Sequence, residues 1–179
     1  MFHFDLHWMA GADCSDTAIA ETRIVCGRTN LTRCREVSTG ITRTARLNPK
    51  ELALWLAYNW WSIRYGSTSP VNAESEECCW YWRMVHNTSG IGGGSVWPDI
   101  EITTDGDVVK LVTNPTTANH GETITYLEKG TFLVSVEVFD QAVLSLVKDV
   151  ITKLEEFGER DEELEAFATG LEYVSVDAL

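Results

Sequence analysis

The sequence NPKELALWLAYNWWSIRY, residues 48–65, carries the clearest structural signal in this chain of 179 residues. Asn48 is a good N-cap, Pro49 suits the first helical position, and Glu51 stands three residues after the cap, as in a capping box. These signals predict a helix from Pro49 to about Tyr65. Large apolar side chains surround most of its circumference, so we expect it to be buried on several sides at the centre of the fold.

Strands are predicted on the N-terminal side of this helix. Residues 1–9 alternate strictly between apolar and polar side chains, a period of two that predicts a strand with one buried face. Residues 21–46 are rich in Thr, Val, Ile and Arg and contain the turn residues Gly27, Asn30 and Gly40. This composition predicts two or three antiparallel strands with the arginines on the solvent side.

A second Trp-rich helix is predicted from the cap Asn72 to near Gly90. The dipeptide Asp105-Gly106 lies between two alternating runs and predicts a hairpin of residues 99–104 and 107–113.

The rest of the chain is predicted as follows. A loop is expected at residues 114–121, and a second hairpin is expected to join residues 123–127 to 131–136 through a turn at Lys129-Gly130. Apolar spacing then predicts helices from Phe139 to about Phe157 and from Asp161 to about Ala168.

These elements predict an α+β fold in which antiparallel strands pack on two Trp-rich helices, followed by a C-terminal acidic helical segment. The length and an apolar content of 44% suffice for one hydrophobic core. We expect a single domain with a basic, strand-rich part at residues 1–47, helices and two hairpins at 48–138, and the acidic helical segment at 139–179.

Charge is distributed unevenly along the chain. Between Arg23 and Lys50, seven basic residues stand against the single acid Glu36, whereas between Glu155 and Glu172 eight acids stand against Arg160 alone. The net charge of −13 argues against general affinity for nucleic acid backbones, which requires neutralisation of phosphates. Such polarity is typical of a protein that meets charged partners.

Several polar residues are embedded in the aromatic zone around the two Trp-rich helices. They form a candidate ligand pocket: Asn59, Arg64, Arg83, His86 and Trp97. Alternatively, the polar residues are hydrogen-bond partners of a packed aromatic core, and core packing is the favoured interpretation of the aromatic cluster.

No stretch has a specific catalytic signature, and no cofactor or metal is predicted. His3, Asp5 and His7 share one strand face and supply metal-ligand types, but a polar solvent face explains them better. The glycines of residues 90–94 follow a helix instead of preceding one, so a tight backbone crossing is favoured over a phosphate site.

The cysteines and the N-terminus favour the cytoplasm. Cysteines stand at five irregular positions, which favours reduced thiols and none in catalysis: Cys14, Cys26, Cys34, Cys78 and Cys79. The start of the sequence lacks the features of a signal peptide. Residues 52–65 are too short and too polar to span a membrane, so no membrane association is predicted.

Residues 51–113 resemble the N-terminal domain of some bacterial ImmA/IrrE-type regulators. In those proteins a Trp-rich helix, a W-x3-H element and a GGG-x2-WP turn precede a separate metallopeptidase region. The matching residues here are Trp82, His86, Gly92, Gly93, Gly94, Trp97 and Pro98. The HExxH motif is absent from the chain, so the resemblance implies no protease activity.

The favoured function is that of a non-enzymatic cytosolic interaction protein, of bacterial or phage origin, that binds a protein in a regulatory or defence-related role. The candidate partner-binding residues are Glu159, Glu162, Glu163, Glu165, Arg28, Arg33 and Arg35. The acidic segment is either a solvated face or a mimic of a nucleic acid backbone, as in an inhibitor. Two alternatives are a ligand-binding or enzymatic domain that uses the aromatic pocket, and nucleic acid binding through residues 23–46.

Overall fold

A computed structural model of the chain describes residues 1–9, 19–65, 97–120 and 122–176. The strands are β1 (Phe2–Trp8), β2 (Ala20–Cys26), β3 (Thr29–Asn30), β4 (Arg33–Glu36), β5 (Thr42–Thr44), β6 (Arg46–Leu47), β7 (Asp99–Asp105), β8 (Val108–Asn114), β9 (Thr116–His120), β10 (Glu122–Tyr126) and β11 (Gly130–Ser135). The helices are α1 (Pro49–Tyr65), α2 (Val136–Glu156) and α3 (Glu162–Val176). The predicted α+β class is confirmed. The second Trp-rich helix, predicted from Asn72, lies outside the described residues.

Helix α1 has the bounds that its sequence predicts. The backbone N–H of Lys50 donates to Asn48 Oδ1 at 3.0 Å, so Asn48 caps the helix. The buried residues of α1 are Pro49, Leu52, Ala53, Trp55, Leu56, Asn59, Trp60 and Ile63. The helix is buried on several sides, as predicted, but Tyr58, Trp61 and Tyr65 are exposed.

The strands form three antiparallel sheets. In the first sheet β2 pairs with β1 along one edge and with the short strands β3 and β6 along the other. The second sheet has the order β5-β4-β10-β9, and the third has the order β11-β8-β7. Residues 21–46 were predicted to form two or three strands. The strands that they form are divided between two sheets. Left-handed glycines at the β2–β3 and β4–β5 turns make this possible: Gly27 has φ 63° and Gly40 has φ 72°.

A buried threonine pair joins the first sheet to the second. The Thr22 N–H donates to the Ala45 carbonyl at 3.1 Å, and the Ala45 N–H donates to the Thr32 carbonyl at 3.0 Å. The Thr32 hydroxyl closes the network by donating to the Thr22 carbonyl at 2.5 Å. Both threonines are fully buried, and their remaining donors also find protein partners: the Thr22 hydroxyl donates to the Ala20 carbonyl at 3.3 Å, and the Thr32 N–H donates to Asn30 Oδ1 at 3.1 Å.

The β7–β8 hairpin is confirmed, with a turn displaced by one residue. Asp105 pairs with Val108, so Gly106 and Asp107 are the two turn residues. Gly106 has φ 58° at the first central position, where a type II′ turn requires glycine.

The second predicted hairpin is wrong. Strand β10 pairs with β9 and β4, whereas β11 pairs with β8. Residues 116–120, expected in a loop, form β9. Lys129-Gly130 is a local turn signal, but the strands on its two sides, β10 and β11, pair with other strands and not with each other.

Helix α2 lies at the centre of the molecule. It packs against β1, α1 and α3, and Phe139 stacks on Phe2 with ring centroids 5.6 Å apart. Ser135 caps it, so it begins one turn earlier than Phe139, where it was predicted. Helix α3 also extends beyond its predicted end at Ala168. None of the helices in the described part of the chain is long and apolar enough to cross a membrane.

Candidate functional site

The acidic run of residues 155–172 extends from the end of α2 into α3. Asp161 caps this helix: the Leu164 N–H donates to Asp161 Oδ1 at 3.2 Å. Glu162, Glu163 and Glu165 occupy the first turn. Negative charges there interact favourably with the helix dipole, so part of this acidic character is explained by helix stability alone.

Basic side chains of α1 and α2 partly neutralise the acidic segment. Lysines approach three of its acids: Lys50 lies 3.7 Å from Asp161, Lys153 lies 2.6 Å from Glu156, and Lys148 pairs with Glu172. The Lys153–Glu156 pair has the i,i+3 spacing of helical neighbours, whereas the pairs of Lys50 and Lys148 depend on how the helices pack and could not be read from the sequence.

Glu165 is committed to an ion pair within the segment. Both terminal oxygens of Glu165 accept hydrogen bonds from Arg160, one of them from Nε at 2.9 Å. These bonds hold the pKa of Glu165 below its ordinary value. Glu165 is therefore a poor choice of partner-binding residue, since Arg160 already uses its charge.

Glu162 and Glu163 are exposed acids of the segment that form no salt bridge among the described residues, and Glu155 is a third. Arg160 interacts electrostatically with Glu162, but it is hydrogen-bonded to Glu165. Glu163 accepts a hydrogen bond from the Tyr58 hydroxyl of α1, and this bond raises the pKa of Tyr58. Glu159 is half-buried at the turn before α3. Of the four predicted glutamates, Glu162 and Glu163 are therefore the best placed to meet a partner.

An exposed aromatic stripe lies beside these acids. It consists of Tyr58, Trp61 and Tyr65 of α1, which are 66%, 66% and 53% exposed. The rings of Trp61 and Tyr65 pack on each other with centroids 4.5 Å apart. The spacing of three and four residues places all three on one helix face. This spacing is visible in the sequence. Large apolar side chains surround most of the helix, however, so the sequence does not show which face is exposed.

Trp60, which contacts the stripe, is buried and hydrogen-bonded. The ring of Trp60 lies beside that of Trp61, with centroids 6.1 Å apart, and its indole N–H donates to Asp140 Oδ1 of α2 at 2.9 Å. Arg64 Nε donates to Asp140 Oδ2 at 3.1 Å. The side chains of Arg64 and Asp140 are 11% and 8% exposed, so this is a largely buried ion pair. Asp140 was not identified from the sequence.

Two opposing effects act on Asp140. Burial raises its pKa above the ordinary value of 3.8, while the hydrogen bond from Trp60 and the charge of Arg64 oppose that rise. The two donors therefore favour the ionised form of the carboxyl group, whereas burial favours its protonated form.

The predicted pocket residues make structural contacts where the structure describes them. The Asn59 amide donates to the Trp55 carbonyl of the same helix at 2.7 Å, and Arg64 is paired as above. Trp97 is fully buried in the core. Arg83 and His86 lie outside the described residues. Asn59, Arg64 and Trp97 thus each have a role in packing.

The arginines of residues 23–46 are divided between the first two sheets. Four of them lie within 4 Å of an acid, in the pairs Arg23–Asp5, Arg33–Glu128, Arg43–Glu36 and Arg46–Glu21. Arg28 and Arg35 are exposed and have no acidic partner in the part of the chain that the structure describes. Of the three predicted partner-binding arginines, these two keep an uncompensated charge.

The other candidate groups make simple contacts. Asp5 lies opposite Arg23 and His7 opposite Glu21 in the β1–β2 register. Across residues 1–9, 19–65, 97–120 and 122–176, no three metal-ligating side chains gather into a possible metal site. Cys26 and Cys34 are free and buried, and burial raises the pKa of both thiols, which disfavours the reactive thiolate. The other three cysteines are not among the described residues.

No protein-family model, no curated protein and no solved structure matches this chain. The resemblance of residues 51–113 to ImmA/IrrE-type regulators therefore stays a prediction.

Proposed function

We propose that this chain is a non-enzymatic protein-binding module that meets its partner through acidic residues at the start of α3. The wider setting that we propose is cytoplasmic and regulatory or defence-related, in a bacterium or a phage. The buried, free thiols of Cys26 and Cys34 support a reducing compartment.

One observation carries this proposal. Glu162 and Glu163 are adjacent on the surface and form no salt bridge within the described ranges, although four other acids of the same segment are paired. Arg160 interacts electrostatically with Glu162, but it is hydrogen-bonded to Glu165. In a molecule with net charge −13, such a surface attracts basic partners and repels acidic ones.

The experiment is charge reversal at these two positions. We expect the double variant Glu162→Lys/Glu163→Lys to lose at least about tenfold of its affinity for the partner, because close charge pairs at interfaces contribute more than about 1.4 kcal/mol. The protein is immobilised, a cell lysate is passed over it, and bound proteins are quantified by mass spectrometry at rising salt. Salt weakens the interaction, since the screening length falls from about 8 Å at physiological ionic strength to about 3 Å at 1 M.

A matched control changes the same amount of charge elsewhere. Asp105→Lys/Asp107→Lys reverses two exposed acids at the β7–β8 turn and shifts the net charge equally. A partner lost by both variants responds only to overall charge. A partner kept by Glu162→Lys/Glu163→Lys shows that this face is not the binding surface.

A further inference from the structure

Exposed tryptophan is uncommon on the surface of a soluble domain, and here two tyrosines accompany it. Tyr58, Trp61 and Tyr65 line one face of α1 over about 10 Å, at a rise of about 1.5 Å per residue. A contiguous exposed apolar patch bordered by polar residues marks an interaction site far more often than scattered apolar residues do.

The stripe has the properties of the energetic centre of an interface. Trp and Tyr are the residues most enriched among those that dominate binding energy, because they offer large contact areas with few rotatable bonds. The rings of Trp61 and Tyr65 already pack on each other. Trp60, whose ring contacts that of Trp61, is held by a hydrogen bond to Asp140. Little conformational freedom remains to be lost when a partner binds.

The charge around the stripe selects the partner. The Tyr58 hydroxyl is bonded to Glu163, which places one end of the stripe against the exposed acids Glu162 and Glu163. Arg64 lies 5.3 Å from the Tyr65 ring, but it is largely buried and paired with Asp140. The border that a partner meets at the Tyr58 end is therefore negative.

We infer that the aromatic stripe Tyr58–Trp61–Tyr65 is the docking site for a basic protein segment that carries apolar side chains. Its apolar side chains cover the three rings, and its lysines or arginines approach Glu162 and Glu163. This inference rests on the proposed function and adds to it an aromatic anchor, the stripe Tyr58–Trp61–Tyr65. A second copy of this chain fits poorly, since two molecules of charge −13 repel each other, and a nucleic acid is excluded by the same sign of charge.

The test uses three synthetic peptides and isothermal titration calorimetry. The first peptide contains leucines spaced three and four residues apart among lysines. The second replaces each leucine by serine, and the third replaces each lysine by glutamate. We expect the leucine–lysine peptide to bind at least about tenfold more tightly than either of the others, because both the apolar and the charged contacts are needed.

Variants of the full chain locate the site. Trp61→Ala should weaken the leucine–lysine peptide by about tenfold or more, while Trp61→Phe retains most of the affinity. Tyr173→Ala is the control, because Tyr173 is a similarly exposed aromatic residue of α3 that lies about 15 Å along the helix from Glu163. It should change the affinity by less than about twofold. Thermal melts establish that each variant is folded.

The outcomes separate the two proposals. If Glu162→Lys/Glu163→Lys weakens the peptide and Trp61→Ala does not, the acidic surface binds and the aromatic anchor is refuted. If neither variant weakens it, both proposals fall. Equal binding of the serine–lysine peptide also overturns the anchor, as does a dimer in sedimentation that Trp61→Ala dissociates.

Discussion

Arg64 was a candidate pocket residue, but its ion pair with Asp140 gives it a structural role. It pairs with Asp140 in a site where both side chains are largely buried. We expect Arg64→Met to cost about 3 kcal/mol of unfolding free energy at pH 7, because it leaves a buried carboxylate without its counter-charge. Urea unfolding at several pH values measures this loss.

The cost should depend on pH in a defined direction. Without Arg64, the pKa of Asp140 rises further above its ordinary value of 3.8, since burial then acts with less opposition. The folded state then binds a proton more readily than the unfolded state, so stability is greatest at low pH and falls as the pH rises through the folded pKa. The variant should be close to the wild type near pH 4 and differ most near pH 7. A loss that is equal at both would mean that Arg64 contributes only packing.

Two tryptophans of α1 provide a matched pair on opposite sides of one helix. Trp55 is 4% exposed in the core, whereas Trp61 is exposed. We expect Trp55→Ala to cost about 3 to 5 kcal/mol through the cavity that it leaves. Trp61→Ala should cost less than about 1 kcal/mol, because surface substitutions rarely cost more. Chemical unfolding of the two variants compares them directly, and similar losses would show that Trp61 also belongs to the core.

At the scale of the element, the start of α1 depends on one side chain. Asn48 Oδ1 accepts the hydrogen bond of the Lys50 N–H. Asn48→Ala should therefore cost about 1 kcal/mol, while Asn48→Ser should cost only a few tenths, since serine is also a good cap. Thermal denaturation of both variants is the measurement. An equal loss in the two would indicate that the carboxamide does more than cap the helix.

The elements that the sequence predicts well are those with local causes. The cap at Asn48 and the proline at Pro49 lie within α1 itself, so its bounds are correct from sequence. Strand partners are different, because β10 could pair with β11 through a local turn or with β4 from far away in the chain. Propensity identifies a strand but not its neighbour, and the second hairpin was wrong for this reason.

The candidate site was only partly predictable for a related reason. Glu162 and Glu163 stand out in the sequence as part of an acidic run. The lysines that compensate their neighbours come from α1 and α2, so only the packed structure separates paired acids from unpaired ones. Trp61 likewise belongs to a run that is apolar all round, and its exposure depends on where α2 and α3 lie.

At the scale of the whole molecule, the three parts of the chain are interlocked. Strand β4 comes from the basic N-terminal part and pairs with β10, while α2 packs on β1. We expect one cooperative unfolding transition in which tryptophan fluorescence and far-UV circular dichroism coincide. A fluorescence change that precedes the loss of circular dichroism would show that the parts unfold separately.

The β4–β10 pairing also bears on how the chain is made. Cys34 and Tyr126 face each other in that ladder, so β10 leaves the ribosome about 90 residues after β4. At a synthesis rate of about 5 to 20 residues per second, one edge of β4 waits roughly 5 to 18 seconds for its partner. The unpaired backbone groups of an open strand edge can pair with a strand of another nascent chain, and charged side chains on the edge oppose such pairing. Arg33 and Arg35 of β4 are exposed charges of this kind, so we expect them to oppose aggregation of the growing polypeptide before its fold is complete.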